Sequence, residues 1–379
     1  MNVKKSLNLQ IYSVGFMVLG VMILYFSSIS TATMGVSDGI KLCLGTVIPS
    51  LFPFMVISSF IVESGLVKLI AKPIALFSEK ILKVNPDTGA VFFMSLIGGY
   101  PTGAKMLSSL VEQNKLDQKT AKRIIPFCIS AGPGFIITAV GMGMFGSTKI
   151  GLLLFLSQTI ANIILGILSG IIFGEKQHIN RLSTAKLKLN SVSNSFVNSV
   201  ASSAHALLNI SAFITIFSGL TAIMMHSGIL DHITNILTEI FAFTGMDKNV
   251  FYVLINGALE VVQGCLLSAK ISGNTGLYIC SFFLSFSGLS ILFQVISCAP
   301  QIKPKLSSLM VWRIFHALIA STVLFVMIKL NPTTVYTLSS FDQSKASIVT
   351  LSGSPEASAM LFFLCSFFLF SLGNIPKKT

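Results

Sequence analysis

The chain has 379 residues, of which 53% are hydrophobic and 10% charged, and its mean hydropathy is +0.83. Soluble domains carry about a quarter charged residues, so this composition excludes a soluble enzyme or secreted domain and defines an all-α polytopic membrane protein. A net charge of +13 would suggest a nucleic-acid partner in a soluble chain, but here the basic residues lie between apolar runs, where they set topology, and no nucleic-acid partner is expected.

Taken in chain order, the first apolar run spans 11–26 and follows Lys4 and Lys5. Thr31-Ala32-Thr33 after it offers small residues for signal-peptide cleavage. A retained first helix is the better expectation, because no soluble domain follows and cleavage would leave an odd number of helices. Further runs at 43–62, 124–145, 150–173, 206–225, 276–297, 308–328 and 358–372 approach the roughly 20 helical residues that cross a hydrocarbon core. Two more apolar stretches, about 88–111 and 250–267, are interrupted near their middles. The chain therefore divides into an N-terminal transmembrane helix (1–38), a first repeat (39–174), a cytoplasmic linker (175–203), a second repeat (204–330), and an external loop with a C-terminal transmembrane helix (331–379).

The two repeats are visible as self-similarity. "PFMVISSFIVESGLVKLIAKPIALFSEKIL" from Pro53 lies beside "AFITIFSGLTAIMMHSGILDHITNILTEIF" from Ala212, and "SAGPGFIITAVG" meets "SFSGLSILFQVI". Each half orders a spanning run, an amphipathic stretch, a broken stretch and another spanning run. Their loops differ in charge. The first amphipathic stretch carries Lys68, Lys72, Lys80 and Lys83, whereas its counterpart carries Asp231, Glu239 and Asp247 against Lys248. Lys115, Lys119, Lys122 and Arg123 follow the first broken stretch, and Lys270 alone follows the second. Lysine and arginine stay on the cytoplasmic side, so equivalent loops face opposite sides and the repeat is inverted. About eight spanning helices and two re-entrant hairpins, with both termini cytoplasmic, satisfy every loop.

The broken stretches carry the candidate site. In the first, Gly98-Gly99-Tyr100-Pro101 forms a tip between two limbs of about ten residues, each enough for half of a core roughly 30 Å thick. Such a tip leaves amides unpaired, tolerable at that depth only beside protein or a water-filled cavity. A helix start there suits an anion. Lys105, one turn into the second limb, is either a functional cation or one that snorkels or pairs with a carboxylate. In the second stretch Asn256, Glu260 and Gln263 recur near one helical turn, flanked by Gly257 and Gly264. Glu260 fits three roles: a proton or sodium coupling group, a substrate ligand, or the partner of Lys105. Pro133 in "SAGPGF" opens the helix at Ser130, as a kink or as a substrate contact.

Cys43, Cys128, Cys265, Cys280, Cys298 and Cys365 fall singly in or beside apolar runs, as packing residues. His205, His226, His232 and His316 lack metal-ligand spacing, and no nucleophile with a base is evident. Neither catalysis nor a cofactor is expected.

"GGYPTGAK" followed by "SAGPGF" resembles the YlbJ-type sporulation integral membrane proteins, whose halves carry the nucleoside-recognition or Gate domain. That domain is similar to the core of concentrative nucleoside transporters, which use paired re-entrant hairpins. The resemblance runs from about Gly39 to Asn331. It implies transport of dipicolinic acid from the mother cell across the outer forespore membrane, with the "GYPTGAK" positions, Gly99, Tyr100, Pro101, Thr102, Gly103 and Lys105 among them, as the substrate region. Ser130, Asn256, Glu260 and Gln263 join that list from the residues alone. The expected partners are a small anionic substrate and the lipid bilayer, with a coupling ion or partner subunit left open. The alternatives are a cation-coupled nucleoside transporter and a non-transporting sporulation scaffold.

Overall fold

The computed structural model describes residue 15 and residues 19–66, 73–173 and 191–330. The chain separates into units Met1–Ser340 and Phe341–Thr379, and the second, with the span expected at 358–372, lies outside the described residues. So do 174–190 of the linker and residues 11–14 and 16–18 of the first run.

Among the described residues every regular element is a helix. Five are long and apolar enough to cross a membrane: Ile29–Glu63, Thr148–Phe173, Val192–His226, Asn274–Cys298 and Leu306–Leu330. Large apolar side chains cover their outward faces, with Ile171 63% and Ile216 64% exposed, a surface that water does not tolerate over such an area. The protein is a polytopic helical membrane protein.

The two halves repeat one element order. Each opens with a helix of 35 residues, Ile29–Glu63 and Val192–His226. Both stop at a Ser-Gly pair whose glycine takes the left-handed conformation, Gly65 at φ 83° and Gly228 at φ 74°, which ends a helix without a Cβ penalty. An amphipathic segment follows, 73–82 in the first half and Ile229–Ile240 in the second. Next comes a helical hairpin opened by an Asx cap. Asn85 Oδ1 accepts from the Thr88 amide at 2.8 Å, and Asp247 Oδ1 from the Asn249 amide at 2.6 Å. The hairpins are Pro86–Gly98 with Tyr100–Glu112, and Lys248–Leu259 with Val261–Ser268. A broken helix and a long closing helix, Thr148–Phe173 or Leu306–Leu330, complete each half.

Four expected runs differ from the structure. Those at 43–62 and 206–225 extend back to Ile29 and Val192, so residues 39 and 204 fall inside helices rather than at boundaries between elements. The run at 124–145 is interrupted: helix and 3-10 turn end at Phe127, residues 128–132 are non-helical, and a wide-turned helix covers Gly134–Met144. Pro133 cannot donate to a ladder and restricts the residue before it, which explains the opening. The helix through 276–297 breaks as well, because Ser287 and Gly288 are successive left-handed residues at φ 78° and 67°.

The halves meet along their opening and closing helices. Gly35 and Gly39 lie against Ser218 and Ala222, so close that an added Cβ at Gly39 would meet Ser218 Cβ at 2.9 Å. Small residues four apart on both helices permit this approach in lipid. The hairpins reach across. The second limb of the first packs on Gly288–Cys298 of the other half, and the second limb of the second packs on Gly134–Met144.

Candidate functional site

Each hairpin tip rests on the helix break of its own half. At Gly132 an added Cβ would meet Ile97 O at 3.1 Å and the Gly99 amide at 3.3 Å; at Gly288 it would meet Gly257 O at 3.1 Å and the Val261 amide at 3.2 Å. The two tips are built differently. Gly99 takes φ 85° and ψ −177°, which glycine alone adopts without strain, and the limb beginning at Tyr100 has no side-chain cap. Glu260 forms the second tip in an ordinary extended conformation, φ −142° and ψ 122°. Its Oε2 caps its own limb by accepting from the Gln263 amide at 2.7 Å.

Between the tips lies a small cavity of about 30 Å³. Gly99, Tyr100 and Pro101 wall it from the first hairpin, and Val261 and Val262 from the second. Gly132 and Phe135 of one broken helix, Ile291 and Gln294 of the other, and Val47, Leu51, Met55, Ile210 and Ile214 of the opening helices complete its sides. The lining is apolar apart from backbone and Gln294. That side chain is 2% exposed, and neither its Nε2 nor its Oε1 has a hydrogen-bond partner. A buried amide left unpaired costs roughly 1–3 kcal/mol.

Of the residues expected from the sequence, the structure thus brings Gly99, Tyr100 and Pro101 to the cavity. Thr102 turns its hydroxyl back to Gly98 O at 2.8 Å. Gly103 is packing: an added Cβ would overlap the Cys128 carbonyl oxygen. Lys105 is exposed and outside the cavity, because its limb buries the face carrying Tyr100, Gly103, Ala104 and Leu107. The pairing of Lys105 with Glu260 is not formed, since Glu260 is 1% exposed and its Oε1 is unpartnered. Ser130 sits in the first break and accepts from Asn162 Nδ2 at 3.2 Å. Asn256 spends its Nδ2 on Tyr252 O at 2.8 Å, leaving a buried, unpartnered Oδ1; neither it nor the half-buried Gln263 lines the cavity.

Sequence reasoning passed over the polar groups that tie the breaks together. Arg313, fully buried in the last described helix, donates from Nη1 to Pro126 O at 3.1 Å and Ile129 O at 2.7 Å, and from Nη2 to Ser287 Oγ at 2.7 Å. Tyr100 reaches the same region, its hydroxyl donating to Leu284 O at 2.8 Å. Gln158 bridges the halves too, donating to Ser281 O at 3.0 Å and accepting from Ser285 Oγ at 2.8 Å. The lone charge of "MVWRIFHAL" in an apolar run was the available signal.

Doubled halves, helical hairpins whose tips share one cavity, and paired helix breaks place this chain among polytopic membrane proteins with a central, protein-walled site. The resemblance to YlbJ-type sporulation membrane proteins is borne out. The chain is 26% identical over 314 residues to the sporulation integral membrane protein YlbJ of Bacillus subtilis (strain 168), an alignment covering 78% of this chain and 76% of that protein. No family model matches the chain, and no solved structure matches it significantly.

Proposed function

We propose that the protein is a secondary transporter of a small organic anion, dipicolinic acid, which it moves from the mother cell across the outer forespore membrane during sporulation. The observation that carries this reading is the cavity walled by the tips of two hairpins from two halves of the same element order. Alternating access needs such a site at the interface of inverted repeats. In this reading the hairpins are re-entrant, eight helices span the bilayer and both termini are cytoplasmic, as the lysine and arginine asymmetry of the loops supports. The uncapped limb at Tyr100 favours an anion at the first tip, and Gln294 offers a donor and an acceptor to its polar groups. The sporulation role of the relative named above supports the setting.

Uptake of radiolabelled dipicolinate into proteoliposomes tests this. The wild type is expected to show saturable uptake that uridine does not compete. Gln294→Leu, which keeps the volume and removes both amide atoms, is expected to lower uptake about tenfold, the equivalent of one well-made hydrogen bond. Lys105→Ala is expected to transport normally, since its side chain lies outside the cavity. Absence of wild-type uptake would overturn the reading, and competition by uridine would replace the anion with a nucleoside.

A further inference from the structure

Arg313 is fully buried in a spanning helix and does not line the cavity. Removing a guanidinium from water costs several kcal/mol unless its donors are met; here three neutral acceptors meet Nη1 and Nη2, the carbonyls Pro126 O and Ile129 O and the Ser287 hydroxyl, while the buried Nε has no partner. None of these contacts is a carboxylate. All three acceptors exist because helices are broken there. The carbonyls are released where the helix of the first half ends at Phe127, and Ser287 is the left-handed residue that breaks the second. One side chain therefore holds both breaks, and it holds them with a charge that the guanidinium does not lose at any ordinary pH. Tyr100, which walls the cavity, anchors its hydroxyl on Leu284 O, three residues from Ser287.

We propose that Arg313 is the fixed positive charge that gives the cavity its preference for anions, held beside the cavity wall by clamping the two helix breaks together. It is a positioning residue, acting through Tyr100 and the breaks and through its field, and not a contact for the substrate. The inference rests on the cavity being the substrate site. It predicts a ligand class of small carboxylates, with their neutral isosteres rejected. A unit charge in a low-dielectric interior is felt well beyond contact distance.

The test compares binding of dipicolinate and of its uncharged diamide, pyridine-2,6-dicarboxamide, to the purified full-length protein, alongside dipicolinate uptake. The wild type is expected to bind the dianion at least tenfold more tightly than the diamide. Arg313→Gln is expected to bring that ratio close to one, chiefly by weakening the dianion. Arg313→Lys, which keeps the charge and part of the clamp, is expected to retain most of the ratio while turning over more slowly, and it serves as the reading should Arg313→Gln not fold. A wild type without preference, an Arg313→Gln protein that keeps it, or a folded Arg313→Lys protein that loses it would overturn the inference. Selective binding of the dianion without any uptake would overturn the transport reading and leave this inference standing.

Discussion

Gly103→Ala is expected to cost about 3 kcal/mol or more, at the upper end of what overpacking costs, and to leave little folded protein in the membrane. The added methyl would overlap the carbonyl oxygen of Cys128 and lie 2.7 Å from Ser95 Cβ. The obstacle is backbone, so no rotamer change relieves it. Cys128 begins the non-helical segment on which the first tip rests, and displacing it moves the cavity wall at Gly132 as well. Detergent-extracted yield and thermal melting measure the effect. A Gly103→Ala protein that melts within a few degrees of wild type would show that the hairpin does not pack on the break as described.

The second large effect is conditional on one side chain. Gly257 faces the ring of Phe283, which is fully buried, and Gly264 of the facing limb lies against Gly257. Gly257→Ala would drive a methyl into that ring and is expected to destabilise by about 2–3 kcal/mol. Here the obstacle can be trimmed. Phe283→Leu alone should cost about 1 kcal/mol as a shape change in the core, yet it should recover much of the loss when combined with Gly257→Ala. A coupling of at least 1 kcal/mol in the double-mutant cycle is the expected result. Additive losses would separate the second hairpin from the helix containing Phe283.

The contrast between these glycines explains how far the sequence could be read. Run lengths and the order of features within each half needed only hydropathy, and the Gly-Gly-Tyr-Pro tip was legible because Gly99 needs a conformation closed to other residues. In the second hairpin the glycines do not mark the turn. Gly257 and Gly264 are there for the close approach of the two limbs, while the turn falls at Glu260, whose extended backbone and capping carboxylate require no glycine. For Lys105, proximity to the tip along the chain left both roles open, and the packing of Gly103 and Ala104 turns it outward. Arg313 offered a lone charge in an apolar run but not its partners, and Gln294 offered no signal, because what makes each notable is tertiary. The acceptors of Arg313 on the first break lie 184 and 187 residues away along the chain, and the vacancy of the Gln294 amide exists only once the cavity is assembled.

The proposed mechanism needs the two hairpins to enter from opposite sides, and accessibility of the loops that leave them is the most direct test. Lys115 and Lys270 are both exposed and close the two hairpins in turn. In a background with the native cysteines replaced, Lys115→Cys should react with a membrane-impermeant maleimide only from the cytoplasmic face, and Lys270→Cys only from the opposite face. Labelling of both positions from the same face would contradict the inverted repeat, and with it the transport mechanism built upon it.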